Sequence, residues 1–253
     1  MKNIYIITTE DPLYSKDIIE EIYSEFPNNI KGVGLSGGLF TLKRVFLSPL
    51  IYGFFNYFLF GYKVIKGVFF GGKIKNFCIS KNIPIDNLPS VNDGNLYNIL
   101  LDSKIDLLLL INCSKKLYQK EFNLPKHGTI NIHFGELPKY RGLMTILHSM
   151  RYKEKKNGIT IHYVNERLDS GNIIDQEYVE ISKRDDLLSV WKKSSDVGRK
   201  MLTKLIKNIS EGHEIKTKAN KDELSNYFKF PSLQQILHYR WIVFKNRYLT
   251  YDS

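Results

Sequence analysis

The sequence predicts an α/β protein built on an open, mostly parallel sheet with helices on both faces. Three observations carry this. Short apolar runs without alternation, such as Ile4 to Ile7 and Leu107 to Ile111, have the pattern of strands buried on both faces. Segments of helical apolar spacing lie between them, as in Ile18, Ile19, Ile22, Tyr23 and Phe26. Strand and helix signals alternate to about residue 180, the order that parallel crossovers require. In a Rossmann-like sheet of this kind ligands bind beyond the carboxyl ends of strands, so chemistry is expected just after Ile111 and just after Ile132.

Lys2 to Thr8 reads as the first strand. Ser15 is expected to cap the helix that follows, and Pro27 with Asn28 and Asn29 ends it. Asn76 to Ser80 and Ile83 to Ile85 read as short strand pieces, and Asn95 to Leu101 as part of a helix. Asp106 introduces the clearest strand, Leu107 to Ile111. Gly128 to His133 is another, running into a loop from Phe134 to Gly142 and a helix from about Leu143 to Lys153. Ile159 to Val164 alternates as a strand should, and Ile173, Ile174, Tyr178, Val179 and Ile181 extend the sheet. Asp185 and Asp186 open a long helix whose face holds Leu187, Trp191, Leu202, Leu205 and Ile209. Ser194 and Gly198 on that face admit a close neighbour, and Gly212 stops the helix. The tail turns aromatic at Tyr227-Phe228-Lys229-Phe230-Pro231. The expected organisation is a catalytic domain over 1–181, then a helix and small appendage over 182–253 that could serve dimerisation.

The chain has 253 residues, 43% apolar and 13% aromatic, which excludes disorder and suffices for a sizeable core. Two cysteines, Cys78 and Cys113, exclude a disulfide framework and a four-cysteine zinc site. The start, MKNIYIITTEDPLY, has an acidic pair where a signal peptide needs its apolar run, so a cytoplasmic location is expected. The net charge of +11 favours anionic partners and is concentrated in Phe26 to Ile85, which has no Asp or Glu but 13 aromatic residues. Within it, Val45 to Tyr62 is uncharged and 18 residues long, the lower limit for a membrane span. Ser48, Pro49, Gly53, Asn56 and Gly61 interrupt it, while Leu47, Leu50, Ile51, Phe54, Phe55 and Phe58 recur at helical spacing. An amphipathic helix, buried or at a subunit contact, is therefore preferred to a span, with peripheral contact to the inner membrane second. A literal G-x-G-x-x-G at Gly32, Gly34 and Gly37 has no acidic ribose partner before Asp86 and is read as a flexible loop, not a dinucleotide site.

The informative constellation is Asn131-Ile132-His133, followed by LPKYRG at Leu137 to Gly142 and LDSG at Leu168 to Gly171. Strand alternation puts Asn131 and His133 on one side of a strand end. An amide, an imidazole and the Asp169 carboxylate suit acyl transfer: Asn131 to hold an oxyanion, His133 to donate or shuttle a proton, Asp169 to orient and charge-stabilise the ring. No serine or cysteine nucleophile is presented, so the attacking group belongs to the substrate. From the residues alone, His133 as a core histidine and Asp169 as a turn residue is an equal reading.

NIHFGELPKYRG and GITIHYVNERLDSGNII resemble the signature of the folate-dependent formyltransferases, the family that includes glycinamide ribonucleotide, methionyl-tRNA and nucleotide-sugar N-formyltransferases. The resemblance covers Asp106 to about Ile181. It implies formyl transfer from N10-formyltetrahydrofolate as co-substrate, without a metal, to an amine, with Asn131, His133 and Asp169 as the catalytic trio. It also implies a folate site formed by Cys113, Ser114, Lys115 and Leu117, closed by a loop bearing Val164 and Arg167. Lys139, Tyr140 and Arg141 are the expected substrate contacts, with a solvated loop the competing reading for Lys139. Thr8-Thr9-Glu10-Asp11-Pro12 lacks the glycine-rich phosphate loop of ribonucleotide-type members, and about 70 residues after Ile181 are fewer than the transfer-RNA enzymes' barrel-like domain needs. The tail YFKFPSLQQILHY is similar to an element of nucleotide-sugar enzymes. The expected acceptor is dTDP-4-amino-4,6-dideoxyglucose or a close relative, for bacterial surface polysaccharide, acted on by a homodimer with no nucleic-acid partner. The alternatives are a glycinamide-ribonucleotide-type enzyme, and a membrane-surface or nucleic-acid-binding protein with an idle fold.

Overall fold

The computed structural model describes residues 1, 3–11, 14–37, 42–53, 73–91, 94–113, 115–221 and 226–249, of which 42–46 by backbone alone. Its strands are β1 (Ile4–Thr8), β2 (Ile30–Ser36), β3 (Ile85–Leu88), β4 (Leu107–Ile111), β5 (Thr129–His133), β6 (Arg141–Gly142), β7 (Lys156–Tyr163), β8 (Ile173–Glu180) and β9 (Tyr227–Phe228). The helices are α1 (Ser15–Glu25), α2 (Leu42–Tyr52), α3 (Lys73–Ser80), α4 (Asn95–Asp102), α5 (Gln119–Phe122), α6 (Thr145–Arg151), α7 (Leu187–Ser210) and α8 (Leu233–Tyr248). The main sheet runs β3-β2-β1-β4-β5-β7-β8; its first five strands are parallel and β7 and β8 antiparallel. A separate parallel pair joins β6 to β9.

Period-two alternation divides the central strands between two cores. Ile4, Ile6, Leu107, Leu109 and Ile111 enter the larger one, with α1, α3 and α7. Tyr5, Ile7, Leu108 and Leu110 enter the smaller one, with Leu96 and Leu100 of α4 and Phe122 of α5. The sheet is thus covered on both faces, the Rossmann-like architecture that its unbroken apolar runs require. Ile236, Tyr239 and Val243 of α8 join the larger core together with Leu187, Val190, Met201 and Leu202 of α7, so the chain beyond residue 181 shares the interior of the sheet domain. The tail is also tied in by β9 and by the Tyr239 hydroxyl, which accepts from Leu187 N at 2.9 Å.

Helix starts follow local chemistry. Asp186 caps α7: its carboxylate accepts from Ser189 N at 2.9 Å and the Ser189 side chain accepts from Asp186 N, a reciprocal capping box. Gly198 in mid-helix lets α7 lie on β5, because a Cβ there would fall 2.5 Å from Ile132 Cδ1. For α1 the expected cap is corrected. Ser15 is the first helical residue and buried, and the Asp11 carboxylate takes the amides of Tyr14 and Ser15 instead, at 2.9 and 3.2 Å.

Two further expectations are corrected. Gly32 and Gly34 lie inside strand β2, not in a flexible loop. They are glycines because Tyr5 crosses them: a Cβ on Gly32 would stand 2.7 Å from the Tyr5 ring, and one on Gly34 2.5 Å from Leu88. Asn76 to Ser80 belongs to helix α3, whose buried Ile74, Phe77 and Cys78 follow helical spacing. Of the run Val45 to Tyr62, the residues to Tyr52 are helical, with Ile51 in the core; 54–62 lie outside the described residues. Among the described residues, no helix is long and apolar enough to cross a membrane.

Candidate active site

Ile130 and Ile132 of β5 face the larger core, so Thr129, Asn131 and His133 point to the opposite face. There a cleft is lined by Leu110 at the end of β4, Cys113, Lys115, Lys116 and Leu117 after it, Asn131, His162, and the loop from Val164 to Asp169. It lies beyond the carboxyl ends of β4 and β5, as the sheet topology leads one to expect.

Asp169 is held in place by its turn. It sits at φ 52°, its backbone oxygen accepts from Asn220 Nδ2 at 3.0 Å, and its Oδ2 accepts from Gly142 N at 2.9 Å. Gly171 allows the turn to press on β7, where a Cβ would stand 1.8 Å from the Tyr163 carbonyl oxygen. The other carboxylate oxygen then lies 3.7 Å from both His133 Nδ1 and His162 Nε2.

His133, 8% exposed, has Nε2 at 2.7 Å from the Tyr140 carbonyl, which can only accept, so Nε2 carries a hydrogen and Nδ1 is the nitrogen that faces Asp169. His133 is absent from the cleft lining among the described residues and is coupled to it through Asp169.

His162 is the member that strand reading missed. Antiparallel register sets it opposite Asn131, and His133 opposite Thr160. The signal lay in the alternation of β7, where Ile159 and Ile161 are core residues and Thr160 and His162 face the other way. Burial lowers the His162 pKa to about 4; Asp169 opposes this and His133 adds to it, so the ring is neutral near pH 7. Its Nδ1 lies 2.8 Å from the Tyr163 carbonyl and therefore donates, which leaves Nε2 to accept from Asn131 Nδ2 at 3.0 Å. This network orients the Asn131 amide and leaves its second hydrogen for a ligand.

The expected folate residues Cys113, Lys115, Leu117, Val164 and Arg167 all line the cleft, which also takes in Lys116; Ser114 lies outside the described residues. The expected substrate residues are turned elsewhere. Lys139 Nζ donates to Glu154 at 2.6 Å and Tyr140 OH to the same carboxylate at 2.8 Å. The Tyr140 ring, 4% exposed, stacks on Phe228 at 5.4 Å. Arg141, 3% exposed, donates to the Asn220 side-chain oxygen at 2.8 Å. Aromatic packing and a buried guanidinium thus bind this loop to the tail, and Asn220, which the sequence reading did not single out, connects Arg141 to the backbone of Asp169 and Gly171. Among the described residues no cluster of side chains suits a metal ion.

Residues 86–206 match the family model described as formyl transferase. A methionyl-tRNA formyltransferase of Kosmotoga olearia is 36% identical over 154 residues, 61% of this chain and 49% of that one. The chain thus spans about half the length of the curated relatives it matches. Among solved structures, an N-formyltransferase from Helicobacter canadensis in complex with folinic acid and dTDP-3-aminofucose is similar with a TM-score of 0.63 and 16% identity, over 96% of this chain and 81% of that one. A phosphoribosylglycinamide formyltransferase from Anaplasma phagocytophilum is similar with a TM-score of 0.65 and 19% identity, over 90% of this chain and 99% of that one.

Proposed function

We propose that this chain, whose residues 86–206 match the formyl transferase family model, transfers a formyl group from N10-formyltetrahydrofolate to the amino group of a nucleotide-linked amino sugar. The observation that carries formyl transfer is the convergence of Asn131, His162 and Asp169 on one cleft, with His133 against the same carboxylate.

The cleft residues fit the co-substrate. Leu110, Leu117 and Val164 offer apolar walls to a flat heterocycle, and Lys115, Lys116 and Arg167 offer cations to a carboxylate tail. N10-formyltetrahydrofolate supplies the activated formyl carbon. Asn131 donates its second amide hydrogen to the carbonyl oxygen as negative charge gathers there, a contribution of about 3–4 kcal/mol for such donors. His162, neutral and donating to Tyr163, fixes the direction of that amide. The proton that the attacking amine loses as it bonds to the formyl carbon can pass by way of Asp169, which lines the cleft with His133 Nδ1 behind it, to N10 as the bond from N10 to the formyl carbon breaks and tetrahydrofolate leaves.

The acceptor reading draws on the loop after β1. Glu10 accepts from the amides of Ile74 and Lys75 at the start of α3, and Asp11 from those of Tyr14 and Ser15 at the start of α1. Two helix starts that could hold a ribonucleotide phosphate are thus filled by the chain's own carboxylates, which disfavours glycinamide ribonucleotide. The similarity of the tail to nucleotide-sugar enzymes supports a sugar acceptor, with dTDP-4-amino-4,6-dideoxyglucose or a close relative our choice. The enzyme would act in the cytoplasm as a homodimer. The methionyl-tRNA formyltransferase relatives favour a second acceptor, the amino group of methionyl-tRNA. Incubation with N10-formyltetrahydrofolate and a panel of dTDP-amino sugars, with methionyl-tRNA in parallel, should give a mass gain of one formyl group on a sugar. Formylation of the transfer RNA alone would overturn the sugar reading, and formylation of neither would overturn the activity.

A further inference from the structure

Helix α8 has two apolar faces. Ile236, Tyr239, Ile242 and Val243 are buried. On the other side Leu233, Leu237, Trp241, Phe244 and Tyr248 are 48%, 50%, 55%, 47% and 66% exposed. At 100° per residue these five fall within about 80° of arc, so they form one continuous stripe along the helix. Trp241 stacks on Phe244 at 6.0 Å and Phe244 meets Tyr248 at 5.2 Å. The same arithmetic puts Arg240 and Arg247 along one edge of the stripe, and His238 and Lys245 along the other. Arg247 also reaches Asp186 at 3.8 Å and the Arg184 carbonyl at 2.7 Å. The helix itself contains no Asp or Glu.

We propose that this face of α8 docks on an anionic lipid bilayer. Charge chooses between the occupants. A second copy packed face to face would bring cationic edges against cationic edges with no acid on either helix to pair them. A bilayer carrying anionic headgroups pairs both edges at once, while Leu, Trp and Phe enter the boundary between headgroups and chains. Trp and Tyr, with an apolar body and a polar atom, are suited to that depth. Gly53, just past the end of α2, adjoins the same rim: a Cβ there would lie 3.5 Å from the Arg240 guanidinium. This inference does not depend on which amine is the acceptor.

The test is co-sedimentation of the full chain with vesicles of phosphatidylglycerol and phosphatidylcholine, against vesicles of phosphatidylcholine alone. Binding is expected to the anionic vesicles only, with a blue shift of Trp241 emission and a loss of binding at high salt. The pair Leu237→Gln/Phe244→Gln should weaken partitioning at least tenfold and Lys245→Gln about fivefold. Unchanged melting temperatures are expected, because these side chains are exposed; variants that melt early would be replaced by Leu233→Gln, read in the same way. No binding, or equal binding to the neutral vesicles, would overturn the proposal. So would a dimer that the stripe substitutions dissociate in a chain that ignores vesicles, or an oligonucleotide bound by this face in preference to lipid.

Discussion

Asn131 and Asp169 divide the work at the candidate site in a way that kinetics can separate. Asn131 has one amide hydrogen committed to His162 and one left for an oxyanion, so Asn131→Ala should leave folate binding within a few fold and lower kcat by about 10²–10³. Near-normal turnover would remove Asn131 from the chemistry. Asp169→Asn keeps an acceptor for Gly142 N and takes away the charge that faces both imidazoles. Its expected signature is a fall in kcat at unchanged KM, because the charge acts on proton movement during the reaction and not on ligand binding. A pure rise in KM would instead make Asp169 a ligand-binding residue. Of this site the sequence singled out Asn131, His133 and Asp169 through the resemblance of NIHFGELPKYRG and the LDSG turn to a known signature, because the residues alone read equally well as a core histidine and a turn aspartate. It hid His162, because a histidine inside ITIHY looks like one more member of a half-buried strand until register sets it opposite Asn131. It also misdirected Tyr140 and Arg141. Their partners, Phe228 and Asn220, are about 80 residues away, and no local pattern reveals such pairings.

At the scale of elements, the parts with a single dominant signal were readable: the apolar run of β4, the acidic start of α7, the stop at Gly212. Where two signals competed, local reading failed. In β2 the glycines that suggest a loop are what permit a buried strand under Tyr5, a fact of tertiary packing. In α3 the β-favouring Phe-Cys-Ile conceals a helical face formed by Ile74, Phe77 and Cys78. The turn between β7 and β8 gives the sharpest test of close packing. Gly171 does not have a positive φ, so Gly171→Ala costs nothing in backbone conformation; its methyl group would stand 1.8 Å from the Tyr163 carbonyl oxygen, a backbone atom with nowhere to go. We expect a loss of at least about 2 kcal/mol in urea unfolding, and a larger fall in activity than in stability, because the displaced turn carries Asp169. A stable and active Gly171→Ala chain would show that the turn is looser than its geometry.

For the whole molecule, two buried histidines make stability depend on pH from separate places in the fold. His162 lies in β7 between sheet and cleft, and His148 lies in α6, stacked on Phe228 of the tail at 4.4 Å. Burial is the main cause that lowers each pKa to about 4, whereas an unfolded histidine titrates near 6.5. Between those values the unfolded chain binds more protons than the folded one. Stability is therefore fully present above about pH 6.5 and declines as the pH falls toward 4, by up to ~1.4 kcal/mol per pH unit for each histidine. Burial lowers His127 as well, while Asp185, whose carboxyl burial pushes up but hydrogen bonds from Lys193, Ser182 N and Ser189 together hold below its ordinary 3.8, affects only still lower pH. His148→Phe separates the contributions. His148 Nδ1 is buried with no hydrogen-bond partner and Nε2 has only a 3.4 Å contact to the Lys229 carbonyl, so a phenyl ring of similar shape replaces a poorly satisfied imidazole. Urea midpoints should show this variant at least as stable as the parent at pH 7.5, with a shallower decline between pH 6.5 and 4. An unchanged slope would mean that His148 is protonated in the folded chain, and that the tail leaves Phe228 before the sheet itself begins to unfold.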